Sequence, residues 1–194
     1  MSPILLAGIV AGLALVLTAV LTPVVRGAAM AGGMVRQVQS DRWHKRPTPA
    51  IGGVAIFLGF GLAVGAGYVL DPNGVQGLMA RPIQAVLPLS TWEGLILGAT
   101  VAFLVGLVDD FVRLPPVPKL LGQVVAALIL LLSGIGVWLT GVYAVDATIS
   151  LLWFVALTNA LNLLDNMDGL AAGTAAIAGA YLAVLFFLEG ALGL

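Results

Sequence analysis

Six long runs of apolar residues, separated by short segments that hold nearly all of the charge, limit this chain more than any other feature in it. They cover roughly Pro3–Val25, Ile51–Leu70, Trp92–Val108, Leu120–Val142, Ile149–Leu164 and Leu170–Leu188. Most lie near the ~17 to 25 residues that carry an α-helix across a bilayer. Soluble domains hold about 25% charged residues, whereas this chain holds 9% and is 61% hydrophobic. The expectation is an all-α polytopic membrane protein with about six transmembrane helices, forming a single integral-membrane domain over residues 1–194. The first run follows only Met1 and Ser2, has no basic segment before it and is longer than a signal-peptide core, so it reads as a retained span. Cysteine is absent, which excludes disulfides, iron–sulfur clusters and thiolate zinc sites. A formal charge of −1 gives no global attraction to nucleic acid, and only local charge is informative.

The basic residues set an orientation. Arg26, Arg36, Arg42, Lys45 and Arg46 fall between the first two spans, Arg113 and Lys119 between the third and fourth, and Arg81 alone on the other side. The positive-inside rule then places the loops around 26–50 and 109–119 in the cytoplasm and both chain ends outside. The loop around 165–169, after the fifth span, becomes cytoplasmic as well. All three polar clusters of interest thereby meet on one membrane face.

The first cluster is DRWHKRPTPAIGG, Asp41 to Gly53. A basic juxtamembrane stretch can simply hold a helix end against anionic lipid. Here His44, Lys45 and Arg46 precede a Pro-Thr-Pro that favours extended backbone, and Gly52 and Gly53 permit close backbone approach. Together they read as an anion clamp. The second cluster is GLVDDFVRLPPVPKLLGQ, Gly106 to Gln123. Asp109 could pair with Arg113 one turn on, an interaction of small energetic value. Two adjacent carboxylates still need a cation or a shared proton, and Arg113 can neutralise only one of Asp109 and Asp110. A divalent metal would relieve the repulsion.

The third cluster is NALNLLDNMDGLAAG, Asn159 to Gly173. Asn159, Asn162, Asp165 and Asp168 recur at every third residue, so consecutive members share a broad helix face. Asparagine can serve interhelical hydrogen bonding and aspartate a helix cap, but ionisable groups in a membrane are costly and mark function more often than packing. A fifth span over Ile149–Leu164 would measure only about 24 Å against a hydrocarbon core of about 30 Å, leaving its polar end recessed in a wet pocket. Gly169 and Gly173 mark a place to turn or pack into the sixth span, and Gly61 and Gly65 a small-residue pair in the second. Carboxylate and amide oxygens suit a hard cation such as Mg²⁺, and the absence of His and Cys clusters disfavours zinc. A basic loop facing an acidic metal site at the membrane surface points to phosphoryl transfer.

These three segments, in this order, resemble the polyprenyl-phosphate sugar-1-phosphate transferases, and more distantly the phospho-MurNAc-pentapeptide translocase. The likeness covers about Arg36 to Gly173. The aspartate pair with its downstream lysine and glutamine is similar to the family's DDxxxL…K…Q block, NALNLLDNMDGLAAG to NAxNLxDGxDGLAxG, and HKRPTPAIGG to HxxPTPxxGG. The resemblance implies that undecaprenyl phosphate attacks the β-phosphorus of a UDP-sugar, most simply UDP-N-acetylglucosamine, releasing UMP at the cytoplasmic face of a bacterial inner membrane. It implies Mg²⁺, or Mn²⁺ in its place. Asp109 would be the base toward the lipid phosphate, or in an older proposal a covalent nucleophile. Asp110 would support metal or geometry, with Asn162 and Asp165 beside metal and pyrophosphate. Asp168 would meet the nucleotide base and Lys45 the nucleotide, and His44, Arg46, Asn159 and Lys119 would complete substrate binding.

Two departures accompany the likeness. Asn166 stands where the family has Gly. The family fold has ten or eleven spans, with a later GDxGS-type segment that carries a metal-binding Asp and a last cytoplasmic loop rich in His or Arg, and neither occurs in this sequence. The expectation is therefore the N-terminal portion of that fold, C-terminally truncated and completed by a homo-oligomer or a complementing C-terminal half. The alternative is a truncated non-catalytic membrane module that binds prenyl phosphate, UDP-sugar or a partner subunit. CDP-alcohol phosphatidyltransferases are disfavoured because Asp168 and Gly169 are followed by Leu-Ala-Ala-Gly without the Arg of their DGxxAR pattern. An Asn- and Asp-lined ion path would leave the basic loop unexplained.

Overall fold

The computed structural model describes residues 3–36, 48–49, 51–73, 86, 89–165 and 169–192. Among them the chain forms six helices, α1 (Pro3–Ala31), α2 (Gly52–Leu70), α3 (Thr91–Val112), α4 (Pro116–Leu132), α5 (Tyr143–Leu164) and α6 (Leu170–Leu192), and one two-residue antiparallel pair, β1 (Val35–Arg36) with β2 (Thr48–Pro49). Helices α1, α2, α3 and α5 are long and apolar enough to cross a membrane, while α4 and the apolar part of α6 are shorter. Leu15, Leu163 and Ile177 are more than two-thirds exposed, whereas the buried apolar positions are few and mostly small. An all-α chain with its apolar side chains turned outward is a multi-pass membrane protein, with lipid as the solvent for that surface.

Local chemistry explains each boundary. Helix α1 runs past the expected end at Val25, through Pro23 and Arg26, until Gly33 takes a positive φ of 68°. There Met34 N–H reaches the Ala29 carbonyl at 2.9 Å and Gly33 N–H the Met30 carbonyl at 3.3 Å, so a left-handed glycine satisfies the last carbonyls. The β pair then sets Val35 opposite Pro49 and Arg36 opposite Thr48, holding part of the Pro-Thr-Pro segment extended as expected. Helix α3 starts in a reciprocal cap, in which Ser90 Oγ accepts from Glu93 N–H at 3.2 Å and the Glu93 carboxylate from Ser90 N–H at 2.8 Å. It stops where Arg113 turns left-handed, at φ 51°, ahead of two prolines. Proline does more than end α3: Pro116 opens α4, where its missing N–H costs nothing.

The fourth and fifth spans differ from the expected Leu120–Val142 and Ile149–Leu164. Helix α4 ends at Leu132 because Gly134 adopts φ 88°, with Ile135 N–H closing on the Leu130 carbonyl and Gly134 N–H on that of Leu131. Helix α5 begins six residues early, and Asp146 is the reason. Only 1% exposed, its carboxylate turns back to accept from Leu139 N–H (3.2 Å), Thr140 N–H (2.9 Å), the Thr140 hydroxyl (2.9 Å) and Gly141 N–H (3.1 Å). One turn on, Ser150 accepts from Val137 N–H at 2.8 Å and donates to the Asp146 carbonyl. The 22 residues of α5 span about 33 Å, so the expected shortness of this helix, and the recess argued from it, are overturned.

Helix α1 packs along α2, and α3, α4 and α5 pack in sequence. The rings of Phe57 and Phe103 stack with centroids 4.1 Å apart and join α2 to α3. Between α3 and α4 the helices touch through glycine: a Cβ at Gly98 would lie 2.7 Å from Leu130 Cδ2, and one at Gly122 2.5 Å from Val105 Cγ2. In α2 the tight contact is Gly59 against Thr18 of α1, whereas Gly61 and Gly65 face open space. Gly52, Gly53 and Gly173 also face open space among the described residues, and Gly169, at φ 77°, makes the expected turn into α6.

Candidate functional site

The last turn of α3 and the first turn of α4 form the polar end of the site. Asp109 has both carboxylate oxygens engaged: Oδ1 accepts from Leu114 N–H at 3.0 Å and Oδ2 from Lys119 Nζ at 2.8 Å. Both side chains of that ion pair are 22% exposed. The sequence offered Arg113 as partner, but its left-handed backbone ends the helix, and Lys119, presented by the proline-started α4, takes the carboxylate instead. Asp109 thus fastens the α3–α4 turn while keeping its charge next to a cation.

These groups open onto a cavity of about 340 Å³. Its polar lining is Asp109, Asp110, Lys119, Gln123, Thr158 and Asn162, and Ile51 and Gly53 close it from the start of α2. Along α3 and α4 its wall turns apolar, through Gly98, Ala102, Ala126 and Leu130. The three clusters picked out in the sequence therefore converge, with the glycine end of the first, the aspartate pair and Lys119 of the second, and Asn162 of the third around one space. A Cβ at Gly53 or Gly106 would meet no atom of the described residues within 4 Å.

The remaining candidates lie elsewhere. Asp165 caps the C-terminal end of α5, is exposed and does not line the cavity. Asn159 is half-buried and turned to α4, where its Nδ2 donates to Gln123 Oε1 at 2.8 Å and its Oδ1 accepts from Gln123 Nε2 at 3.4 Å. The same Nδ2 donates to the Val155 carbonyl at 2.9 Å. His44, Lys45, Arg46 and Asp168, together with Asn166, lie outside the described residues. Sequence reasoning had not placed Gln123 or Thr158 in a site. The signal for Gln123 was available, since an amide one turn beyond Lys119 in an otherwise apolar helix must find a partner.

Chemically the cavity offers oxygen donors and one ammonium. Among the described residues no group of three or more His, Cys, Asp or Glu side chains gathers as a closed metal cage. Asp110 and Asn162 both line the cavity, and their oxygens suit a hard cation that keeps several positions for water and phosphate oxygens.

Comparison with known proteins gives a consistent picture. The family described as Glycosyl transferase family 4 matches residues 92–194. The chain is 29% identical over 180 residues to the "Probable undecaprenyl-phosphate N-acetylglucosaminyl 1-phosphate transferase" of Bacillus subtilis, covering 88% of this chain and 46% of that protein. It is 33% identical over 193 residues to the decaprenyl-phosphate N-acetylglucosaminephosphotransferase of Mycobacterium tuberculosis, covering 92% and 44%. It is 30% identical over 179 residues to the phospho-N-acetylmuramoyl-pentapeptide-transferase of Lactiplantibacillus plantarum, covering 80% and 50%. The chain spans about half the length of these curated relatives. No solved structure matches it significantly.

Proposed function

We propose, from the premise that this chain belongs to glycosyl transferase family 4, that it transfers a sugar 1-phosphate from a UDP-sugar to a polyprenyl phosphate. The sugar is N-acetylglucosamine and the lipid undecaprenyl phosphate, as the name of the Bacillus subtilis relative suggests for that protein. The observation that carries this reading is the convergence of the Asp109–Lys119 pair, Asp110 and Asn162 on a cavity whose wall becomes apolar away from them. A substrate with a phosphate head and a hydrocarbon tail matches that polarity gradient. The reaction belongs at the cytoplasmic face of a bacterial inner membrane with both ends of this chain external, on the strength of the basic residues between α1 and α2 and between α3 and α4.

In this mechanism Asp109 accepts the proton of the lipid phosphate. A phosphate oxygen then attacks the β-phosphorus, a new P–O bond forms, and the bond to the UMP oxygen breaks with its electron pair leaving on UMP. Lys119, hydrogen-bonded to the Asp109 carboxylate at 2.8 Å, is free to stabilise phosphate charge once the proton has moved. Asp110 and Asn162, which line the cavity, are the residues that would hold Mg²⁺ or Mn²⁺, which when bound would neutralise the pyrophosphate charge; Asp165, at the C-terminal cap of α5 and outside the cavity lining, would have to reach that metal from the rim. Lys45, with His44 and Arg46, supplies the anion clamp for the nucleotide, and Asp168 contacts its base.

The test is UMP release from UDP-N-acetylglucosamine by membranes containing this chain and undecaprenyl phosphate, with and without Mg²⁺. Metal-dependent release supports the reading. Tight, Mg²⁺-dependent binding of both substrates without any UMP would replace it with a non-catalytic binding module. For Asn162→Ala the expected result is a roughly tenfold rise in the Mg²⁺ concentration needed for half-maximal nucleotide-sugar binding. An unchanged metal titration removes Asn162 from the metal site.

A further inference from the structure

Helix α4 carries two polar side chains one turn apart on the same face, Lys119 and Gln123. Lys119 engages Asp109 on α3, and Gln123 engages Asn159 on α5 through a reciprocal pair of amide hydrogen bonds. Asn162 follows Asn159 by three residues, almost one turn, and lines the cavity, whereas Asn159 does not. Gln123 is 8% exposed and joins two helices that pack directly. Without hydrophobic drive between helices in lipid, such polar contacts and close packing fix one helix against its neighbour.

We propose that Gln123 and Asn159 are positioning residues: their amide pair fixes the rotation of α5 against α4, and thereby the placement of Asn162 in the cavity that Asp109 and Lys119 also line. Gln123 also lines the cavity whereas Asn159 does not, and in this scheme the pair acts through the placement of Asn162. The inference rests on the transferase reading for its kinetic consequence, and on the helix geometry alone for its structural one. Asn159 accordingly leaves the set of substrate-binding candidates.

The experiment uses four proteins: the parent, Gln123→Met, Asn159→Leu, and the exchange Gln123→Asn with Asn159→Gln. Methionine and leucine keep chain length or volume, and the exchange keeps the total reach across the two helices while swapping the longer arm. Because the sequence has no cysteine, nitroxide labels can be placed solely at cysteines introduced for Leu121 on α4 and Leu161 on α5, both of them exposed. Each single variant is expected to lower kcat for UMP release about 10- to 100-fold, the loss that follows a displacement near 1 Å, with KM for the UDP-sugar changed less than about threefold. Each should also broaden the distance distribution between the labels, and the exchange should restore both readouts at least in part. Single variants with parental kcat and an unbroadened distance overturn the proposal, as does a loss of kcat that the exchange leaves uncorrected while the labels stay sharp. If the parent releases no UMP, the transferase reading fails, and the label distances still decide whether the clasp exists.

Discussion

Asp109→Asn is expected to lower UMP release by about 10²- to 10⁴-fold, the range over which a positioned base contributes, while the protein remains folded in the membrane. The two effects separate because the side chain has two tasks. Asparagine keeps an oxygen for the Leu114 N–H that Asp109 caps at 3.0 Å, so the α3–α4 turn survives. What it loses is the charge that Lys119 approaches at 2.8 Å and the carboxylate that would take the proton. Removing one member of a half-buried ion pair destabilises, but at 22% exposure water and headgroups can solvate the released ammonium. The measurement is UMP release set beside a thermal melt of the purified variant. Release within a few-fold of the parent would remove Asp109 as base. A collapsed melt would instead assign it to the turn.

The second large effect is on stability and lies at the other end of the same helices. Asp146→Ala deprives three backbone N–H groups and the Thr140 hydroxyl of their acceptor at one stroke. Hydrogen bonds to an ionised group are the stronger kind, and the donors left behind keep an unmet demand. The expected result is a drop in thermal midpoint of about 5 °C or more, with the surviving folded protein retaining the parental KM for nucleotide sugar. Thr140→Val, which removes the hydroxyl donor and leaves the carboxylate its backbone partners, should cost much less. Equal melts for Asp146→Ala and the parent would show that the α4–α5 loop holds without the carboxylate.

Asp146 also shows where reading by composition ends. Apolar runs locate α2, α3 and α6 closely, because glycine or a capping pair marks their ends, whereas α1 passes the expected Val25 and runs to Ala31. Between Leu120 and Val142 the residues stay apolar, so hydropathy continues one span through Gly134, although a positive φ there ends α4. A lone carboxylate near the start of the next run then looks like loop. In fact it belongs to the helix, because the loop folds back and supplies its donors. The site was more legible: charge and spacing put the polar clusters on one membrane face, the family resemblance singled out Asp109, Asp110, Lys119 and Asn162, and these four line one cavity. Partner choice was not legible, since it depends on the direction of a side chain. Arg113 is the sequence neighbour of Asp109, yet the left-handed turn favours Lys119, and Asn159 lies on the polar stripe yet turns to Gln123. For the same reason Gly59, not Gly61 or Gly65, meets its neighbour: spacing names a helix face, and packing selects among its members.

The knot around Asp146 and the amide pair at Asn159 together make α4 and α5 a pair of arms joined at one end. Asn162 lies 16 residues beyond Asp146, a lever of roughly 24 Å. A splay of only one degree about the joined end would carry Asn162 about 0.4 Å, and two to three degrees would reach the ~1 Å at which misplacement can cost a hundredfold in rate. The joined end therefore sets the pivot, the far contact between Gln123 and Asn159 limits the swing, and small angular play anywhere along the arms is magnified at the cavity.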